Sequence, residues 1–361
     1  MNKKEHPIGV GVVGLGRFGQ FLLSAYREME EIQVVGVCDV EKARALALAP
    51  ATAQVYEEFA DLLRNQEVKI VVIGTPPFLH GSMAIQAAQA GKHVLVEKPL
   101  AIDLAEAQTA VKVAYENGVL LTVDYVLRYH PLHRLAMRIV REKIFGELHL
   151  FALINLATDE DLDPQHWFWD TAKSGGIFVE HGVHFFDLAN QLASVPPSSV
   201  HGYALRNPEG RLDRVGAVVR YGEKMLATFY HSFNRPRCIE RTTIHLGLAS
   251  GEIRIEGWIP VRLSLHGLVA EEKLPILEGL LGKPVEKIGQ HGGRIEIQAE
   301  VCAPDRQEEY KRAIQAVMRD LVRAIREKRK PTVTPEDALA SLAVAIEATK
   351  VAEEASRDFP I

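Results

Sequence analysis

Short apolar runs alternate with longer amphipathic segments through the first third of the chain. Apolar residues at consecutive positions, as in 70–73, are typical of parallel strands that helices cover on both faces. Strands are predicted at 8–13, 33–38, 70–73, 93–96 and 119–123, and helices at 17–30, 41–48, 79–90 and 103–117. This βαβ series predicts an α/β fold with a doubly wound parallel sheet.

The pattern changes after a helix predicted at 131–143. Strand-like segments joined by turns follow at 147–156, 199–206, 214–221, 224–233, 239–248, 251–256 and 261–267. Residues 175–193 are apolar at helical spacing, and two closing helices are predicted at 308–329 and 335–355. The second part is therefore expected to be an α+β domain with a mainly antiparallel open sheet. Segment 269–307 is rich in charge and glycine, and its pattern predicts no element.

Length and charge narrow the class of protein. The 361 residues are enough for two hydrophobic cores, and we predict domains at 1–125 and 126–361. The chain has 42 basic and 47 acidic residues and only one short basic run. It therefore lacks the excess of positive charge that binds nucleic acid or anionic lipid. No apolar run reaches the ~20 residues that span a bilayer, so no membrane segment is expected. Three widely spaced cysteines fit a reducing cytoplasm.

A glycine motif follows the first predicted strand and opens a helix. In Gly14-Leu15-Gly16-Arg17-Phe18-Gly19, the first glycine permits a tight turn, the second lets the backbone approach a pyrophosphate, and the third packs the helix on the strand. Asp39 lies twenty residues beyond Gly19, at the end of the second strand. The combination predicts dinucleotide binding.

Asp39 also bears on which dinucleotide is bound. A carboxylate there accepts hydrogen bonds from ribose hydroxyls and repels a 2′-phosphate, which favours NAD over NADP. Two alternatives stay open: Asp39 is only a solvated loop residue, or Lys42 or Arg44 compensates a phosphate.

The ends of two later strands carry further candidates. Thr75, Pro76 and His80 follow one strand, and Glu97 and Lys98 follow the next. Open α/β sheets bind their ligands at the carboxyl ends of the strands, so all five are candidate cofactor contacts. In the alternative interpretation, the prolines only end a strand and the lysine is solvated.

Three motifs together resemble the Gfo/Idh/MocA oxidoreductases, the family of glucose-fructose oxidoreductase and inositol dehydrogenase. They are Glu97-Lys98-Pro99, Arg128-Tyr129-His130-Pro131 and the segment from Gly175-Gly176 through His184 to Asp187. The resemblance covers nearly the whole chain. It implies a Rossmann domain that holds NAD(P), and a C-terminal domain whose open sheet closes substrate against the nicotinamide and often mediates oligomerisation.

The resemblance also implies roles for individual residues. Lys98 matches the active-site lysine of the family, and His184 matches its catalytic histidine. Glu180 stands where many members carry aspartate, one methylene shorter, and this departure bears on substrate identity. Trp169 resembles a family position near the nicotinamide; otherwise it is a core or interface aromatic.

Residue chemistry supports these roles independently. On a helix, Glu180 and His184 are four residues apart and can share one face. An imidazole suits the proton of a hydroxyl being oxidised, and Lys98 can donate to the developing alkoxide or carbonyl oxygen. Arg128 and His181 are further candidate substrate contacts. In the alternative interpretation, Arg128 ties domains together, and His181, His184 or both are core residues.

Metal binding is a rival interpretation of this segment, since Glu180, His181, His184 and Asp187 are all potential ligands. No H-E-x-x-H spacing is present and hydride transfer needs no metal, so none is predicted.

The leading hypothesis is a cytoplasmic NAD(P)-dependent dehydrogenase acting on CH–OH groups of a sugar, cyclitol or related polyol. A homodimer or homotetramer is expected. One alternative is a glycoside hydrolase that recycles tightly bound NAD, and another is a non-catalytic regulator that senses the dinucleotide.

Overall fold

Six parallel strands form the first sheet of the computed structural model, which describes residues 6–303 and 305–355. The strands are β1 (Ile8–Val13), β2 (Ile32–Cys38), β3 (Gln54–Tyr56), β4 (Ile70–Ile73), β5 (His93–Val96) and β6 (Leu121–Val123). Their order is β3-β2-β1-β4-β5-β6, so the chain reverses its direction of travel between β1 and β4. The predicted doubly wound sheet is confirmed. Ligands bind at such switch points.

Helices connect these strands. They are α1 (Arg17–Tyr26), α2 (Lys42–Leu48), α3 (Phe59–Arg64), α4 (His80–Gln89) and α5 (Leu104–Glu116). The sequence pattern predicted neither β3 nor α3. β3 has three residues at the edge of the sheet and none of them is buried, so it leaves no apolar run to detect.

Nine strands form the second sheet. They are β7 (Leu148–Thr158), β8 (Ser199–Arg206), β9 (Leu212–Tyr221), β10 (Met225–Arg235), β11 (Arg241–Leu248), β12 (Gly251–Glu256), β13 (Arg262–Ala270), β14 (Glu286–His291) and β15 (Arg294–Cys302). The order is β14-β15-β13-β12-β11-β7-β10-β9-β8, and every pairing is antiparallel except that of β7 with β10. The predicted mainly antiparallel sheet is confirmed.

The same part of the chain contains α6 (Pro131–Arg141), α7 (Thr171–Ser174), α8 (Val183–Ala193) and α9 (Leu274–Leu281). One face of the second sheet is buried: the ring of Phe186 on α8 lies 4.3 Å from that of Phe229 on β10, and Phe151 on β7 lies 5.4 Å from Phe229. The opposite face carries exposed side chains, which gives the alternation of a sheet covered on one side.

The chain forms two compact units that interleave along the sequence. Among the described residues, the first comprises 6–126, 170–183 and 311–346, and the second comprises the remainder. Most of the helix α10 (Arg306–Glu327) and half of α11 (Pro335–Ala355) thus belong to the first unit. On α10, Gln315 donates to the Ala25 carbonyl of α1 at 3.0 Å. A single division at 125/126 does not follow this interleaving, and the domain boundaries stay a prediction.

Among the helices of the described ranges, none combines the length and apolarity needed to cross a membrane.

Candidate active site

The glycine turn lies at the switch point of the first sheet. Gly14 has a φ of +84°, and a Cβ there would lie 2.7 Å from the carbonyl carbon of Gly74, which follows β4. A Cβ at Gly19 would lie 1.9 Å from the Gly14 carbonyl oxygen. Gly16 is exposed, and nothing lies within 4 Å of the place a Cβ would take. Packing therefore requires glycine at positions 14 and 19, whereas Gly16 leaves an open approach to the first amides of α1. That arrangement fits a dinucleotide pyrophosphate.

Asp39 braces this turn from the end of β2. Its buried carboxylate accepts hydrogen bonds from the Leu15 amide at 2.7 Å and the Glu41 amide at 2.8 Å. Arg44 donates to the same carboxylate at 3.1 Å and also pairs with Glu41. Both neighbours of the Arg44 guanidinium are acidic, so its charge is already compensated.

His80 connects the two strand-end turns that follow β4 and β5. Its Nε2 lies 2.7 Å from the Thr75 carbonyl oxygen, and its Nδ1 lies 2.7 Å from the Pro99 carbonyl oxygen. Burial lowers the pKa of His80, although the two carbonyls oppose the shift. A neutral imidazole has one N–H, so it donates to one of these carbonyls at a time. His80 therefore lies between the turns of Thr75 and Lys98 and hydrogen-bonds to one of them at a time.

Lys98 and Glu180 form an ion pair in the first unit. Lys98 Nζ donates to Glu180 Oε1 at 2.6 Å and to the Glu180 carbonyl oxygen at 2.7 Å, and the two side chains are only 15% and 13% exposed. The Lys98–Pro99 peptide bond is cis. Two residues that lie 82 positions apart in sequence are thus brought into direct contact at the carboxyl end of β5.

The segment that carries Glu180 differs from the continuous helix predicted over 175–193. Gly175 and Gly176 have φ values of +76° and +90°, which no α-helix contains, so the helical segment starts after them. A π-helical turn then spans Phe178–Gly182 and leads directly into α8. Such turns recur at functional sites.

His181 lies in this π-turn, near Lys98. Burial, and secondly the Lys98 ammonium, hold the pKa of His181 well below its usual range, so the imidazole is neutral. Within the described ranges, no three His, Cys, Asp or Glu side chains converge in a geometry that could hold a metal ion. Glu180 is paired with Lys98, and Asp187 with Arg128.

In the second unit, His184 lies near the start of α8 and is 3% exposed. Its ring packs edge-on against the Trp258 ring, with 4.7 Å between the centroids. One turn further along, Asp187 forms a buried ion pair with Arg128 through two nitrogens of the guanidinium. The charge of Arg128 is therefore compensated inside this unit, and its proposed contact with substrate stays a prediction.

Trp169 lies in a 3-10 turn over Trp167–Trp169. The guanidinium carbon of Arg211 lies 4.6 Å from the centre of its ring. One face of this indole is thus covered by a cation from the β8–β9 connection. The proposed contact of Trp169 with nicotinamide also stays a prediction.

Sequence reasoning missed three residues beside these sites: Asp124, Trp258 and Arg211. Asp124 had a detectable signal, because it directly follows β6 just as Glu97 directly follows β5. Neither Trp258 nor Arg211 carries a local signal, since each reaches its partner only through the tertiary structure.

The glycine turn at the switch point and the buried Lys98–Glu180 pair define an oxidoreductase with a dinucleotide-binding domain. Comparison with known proteins agrees. A family model described as oxidoreductase family, NAD-binding Rossmann fold, matches residues 8–125, and the GFO/IDH/MocA C-terminal domain model matches residues 133–249. The chain belongs to the GFO/IDH/MocA oxidoreductase family. The predicted family, oxidoreductase class and NAD-binding Rossmann domain are confirmed.

Named relatives include dehydrogenases of cyclitols. The NAD(+)-dependent scyllo-inositol 2-dehydrogenase of Bacillus subtilis (strain 168) is 27% identical over 351 residues, which is 96% of this chain and 94% of that one. The inositol 2-dehydrogenase of Rhizobium meliloti (strain 1021) is 27% identical over 190 residues, 53% of this chain and 56% of that one.

A solved structure of levoglucosan dehydrogenase with NADH and levoglucosan has a TM-score of 0.81. Its sequence is 18% identical, and the match covers 97% of this chain and 98% of that one. This likeness establishes the common fold.

Proposed function

We propose that the protein uses NAD to oxidise a secondary hydroxyl of a sugar, cyclitol or related polyol to a ketone, and catalyses the reverse reduction. The observation that carries this proposal is the Lys98–Glu180 pair at the carboxyl end of β5, in a domain with a dinucleotide-binding glycine turn. The full-length similarity to an inositol dehydrogenase supports the substrate class.

Lys98 holds the reacting oxygen. An ammonium has three N–H donors. Two of them reach the carboxylate and the carbonyl of Glu180, which fixes the side chain and leaves the third for the substrate hydroxyl. As the hydroxyl is oxidised, negative charge develops on this oxygen, and a fixed cation stabilises it.

His184 takes the hydroxyl proton on an imidazole nitrogen, the role that its residue type suits near neutral pH. Glu180 acts by orienting Lys98, and its second carboxylate oxygen is a candidate acceptor for a neighbouring substrate hydroxyl. His181, which is neutral, is a candidate hydrogen-bonding partner for the substrate.

Bound NAD supplies the hydride acceptor. The glycine turn would hold its pyrophosphate and Asp39 its ribose, while Thr75, Pro76 and Glu97 flank the site at the neighbouring strand ends.

The test is anaerobic mixing of the protein with NAD and a panel of scyllo-inositol, myo-inositol and levoglucosan, with NADH absorbance as the readout. Lys98→Met and His184→Ala are each expected to lower kcat by about 10² to 10⁴, with NADH affinity retained in a fluorescence titration. NADH formation at the full rate in the double variant would refute these roles.

The relatives named above are dehydrogenases, which favours this function over the two alternatives. Cleavage of a nitrophenyl glycoside without net NADH would instead support a hydrolase with recycled NAD. NAD-dependent binding of a partner protein without turnover would support a regulator.

We further propose that the protein is a cytoplasmic homodimer or homotetramer. All three cysteines are free, as expected in a reducing compartment. The exposed face of the second sheet carries apolar side chains that a second copy would cover, among them Ile154, Tyr203 and Leu226.

A further inference from the structure

Two buried carboxyl groups lie at the ends of adjacent strands in the first unit. Val96 of β5 is paired with Val123 of β6, so the next residues, Glu97 and Asp124, lie side by side. Glu97 is 8% exposed and Asp124 is 1% exposed. The proposed reaction assigns Asp124 no role.

Within the part of the chain that the structure describes, neither carboxyl group forms an ion pair with a cation. The ammonium of Lys98, the residue after Glu97, is directed to Glu180. Among the described residues, Glu97 Oε1 and both carboxylate oxygens of Asp124 receive no hydrogen bond from an N–H or hydroxyl donor. The two carboxyl groups are within hydrogen-bonding reach of each other. A hydrogen bond between two carboxyl groups requires a proton on one of them, because ionised carboxylates only accept.

We propose that Glu97 and Asp124 share one proton, carry a single negative charge between them, and position Lys98 for its role in catalysis. The positioning part of this inference rests on the proposed dehydrogenase function. The Lys98 backbone lies close enough to the Glu97 carboxyl to lower its pKa, so a fixed Glu97 supports the start of the Lys98 turn. The single negative charge of the pair also attracts the Lys98 ammonium electrostatically.

Electrostatics supports the shared proton. Burial, and then the neighbouring Asp124, raise the pKa of Glu97 well above its usual range, and burial raises the pKa of Asp124. The titratable groups that face the pair are Lys98 and, from α1, Tyr26, whose pKa is raised by burial and by both carboxyls.

The shared proton has a measurable consequence for folding. The folded pair keeps a proton that the unfolded chain releases near the ordinary pKa of a glutamic acid. Stability is therefore greatest below that pKa and falls as pH rises toward the folded value, by up to about tenfold in the folding equilibrium per pH unit. In Asp124→Asn, the amide donates to an ionised Glu97, so the pair carries the same charge without the proton.

Urea unfolding of the wild type and D124N between about pH 5 and pH 8 tests the proton count. The wild type should lose stability with rising pH more steeply than D124N, by up to about tenfold per pH unit in the unfolding constant. Asp61→Asn, at an exposed site of the same unit, is the matched control and should retain the wild-type slope. Equal slopes in the wild type and D124N would overturn the shared proton.

Positioning is tested by comparing Asp124→Leu with D124N. Loss of the hydrogen-bonding partner in D124L should free the Lys98 turn and increase acetylation of Lys98 by an N-hydroxysuccinimide ester, measured by peptide mass spectrometry, at least about threefold; D124N should rescue it. With scyllo-inositol and NAD, D124L should lower kcat about tenfold and leave the KM for NAD unchanged.

Unchanged Lys98 acetylation in D124L would overturn the positioning role. These readouts separate the two proposals, because the urea slopes and the acetylation need no substrate. If no polyol is oxidised by the wild type, the dehydrogenase proposal fails while the slopes still decide whether the pair shares a proton.

Discussion

At the scale of single residues, Asp39 connects cofactor choice to the shape of the glycine turn. Its carboxylate accepts the Leu15 amide inside the turn and the Arg44 guanidinium outside it. One side chain thus supports the glycine turn and neutralises Arg44, and in the proposed function it also accepts a hydrogen bond from the ribose. The preference for NAD follows from all three effects together.

Replacing Asp39 by serine should therefore weaken NADH binding about tenfold, or about 1.4 kcal/mol, because the brace and the ribose acceptor are both lost. The ratio of NADPH to NADH affinity should rise, since Arg44 is freed to meet a 2′-phosphate. Fluorescence titrations with both reduced cofactors measure the change. The gain for NADPH should vanish in the double variant D39S/R44A, and an unchanged ratio in D39S would contradict the assignment.

At the scale of structural elements, the three glycines of the turn are not equivalent. A Cβ at Gly19 would overlap the Gly14 carbonyl oxygen, whereas a Cβ at Gly16 would meet open space. Glycine at position 19 is therefore required for α1 to pack on the glycine turn. At position 16 we expect glycine to be required only when the cofactor is bound. Matched alanine variants separate the two.

Gly19→Ala should destabilise the protein by about 2 kcal/mol or more, because the backbone must shift to relieve the overlap. Gly16→Ala should leave the urea midpoint unchanged within error and weaken NADH binding at least about tenfold, since its methyl group occupies the approach to the phosphates. Urea unfolding and NADH titration of both variants check this pair. Equal loss of stability in both would refute the distinction.

The same scale shows what an apolar pattern can predict. The buried strands of the first sheet were predictable because helices cover both of their faces, as at 70–73. The edge strand β3 and the pair β14 and β15 were not, since their exposed positions carry polar residues and glycine. The π-turn at Phe178–Gly182 depends on the i to i+5 hydrogen bonds of a short segment, for which sequence spacing has no signature.

At the scale of the whole molecule, the structure brings predicted site residues together where topology alone determines proximity. The rule that ligands lie at the carboxyl ends of parallel strands selected Lys98, and a family motif selected Glu180; the structure brings the two into contact. Asp124 was missed, although it lies beside Glu97 for the same topological reason: β5 and β6 are adjacent. The contact of His184 with Trp258 depends on how a helix packs across a sheet, which spacing along the chain does not determine.

The exposed face of the second sheet has two distinct halves. Across β7 to β10 it presents apolar side chains, with Tyr203 67% and Leu226 44% exposed. Across β11 to β15 it presents histidine–glutamate pairs such as His245 with Glu252 and His266 with Glu296. A large exposed apolar patch marks a contact surface, and a self-complementary patch on a sheet suits a two-fold interface.

The double variant Tyr203→Lys/Leu226→Lys should therefore dissociate the proposed oligomer, because two buried cations on each copy would face their own symmetry mates. Light scattering at micromolar concentration should show about half the wild-type mass. The free energy of unfolding of the subunit should change by less than about 0.5 kcal/mol, as usual for surface substitutions. The control, His245→Gln/His266→Gln, alters the polar half of the same face and should retain the wild-type mass. A monomeric wild type, or an undiminished mass in the lysine variant, would show that this face is not the interface.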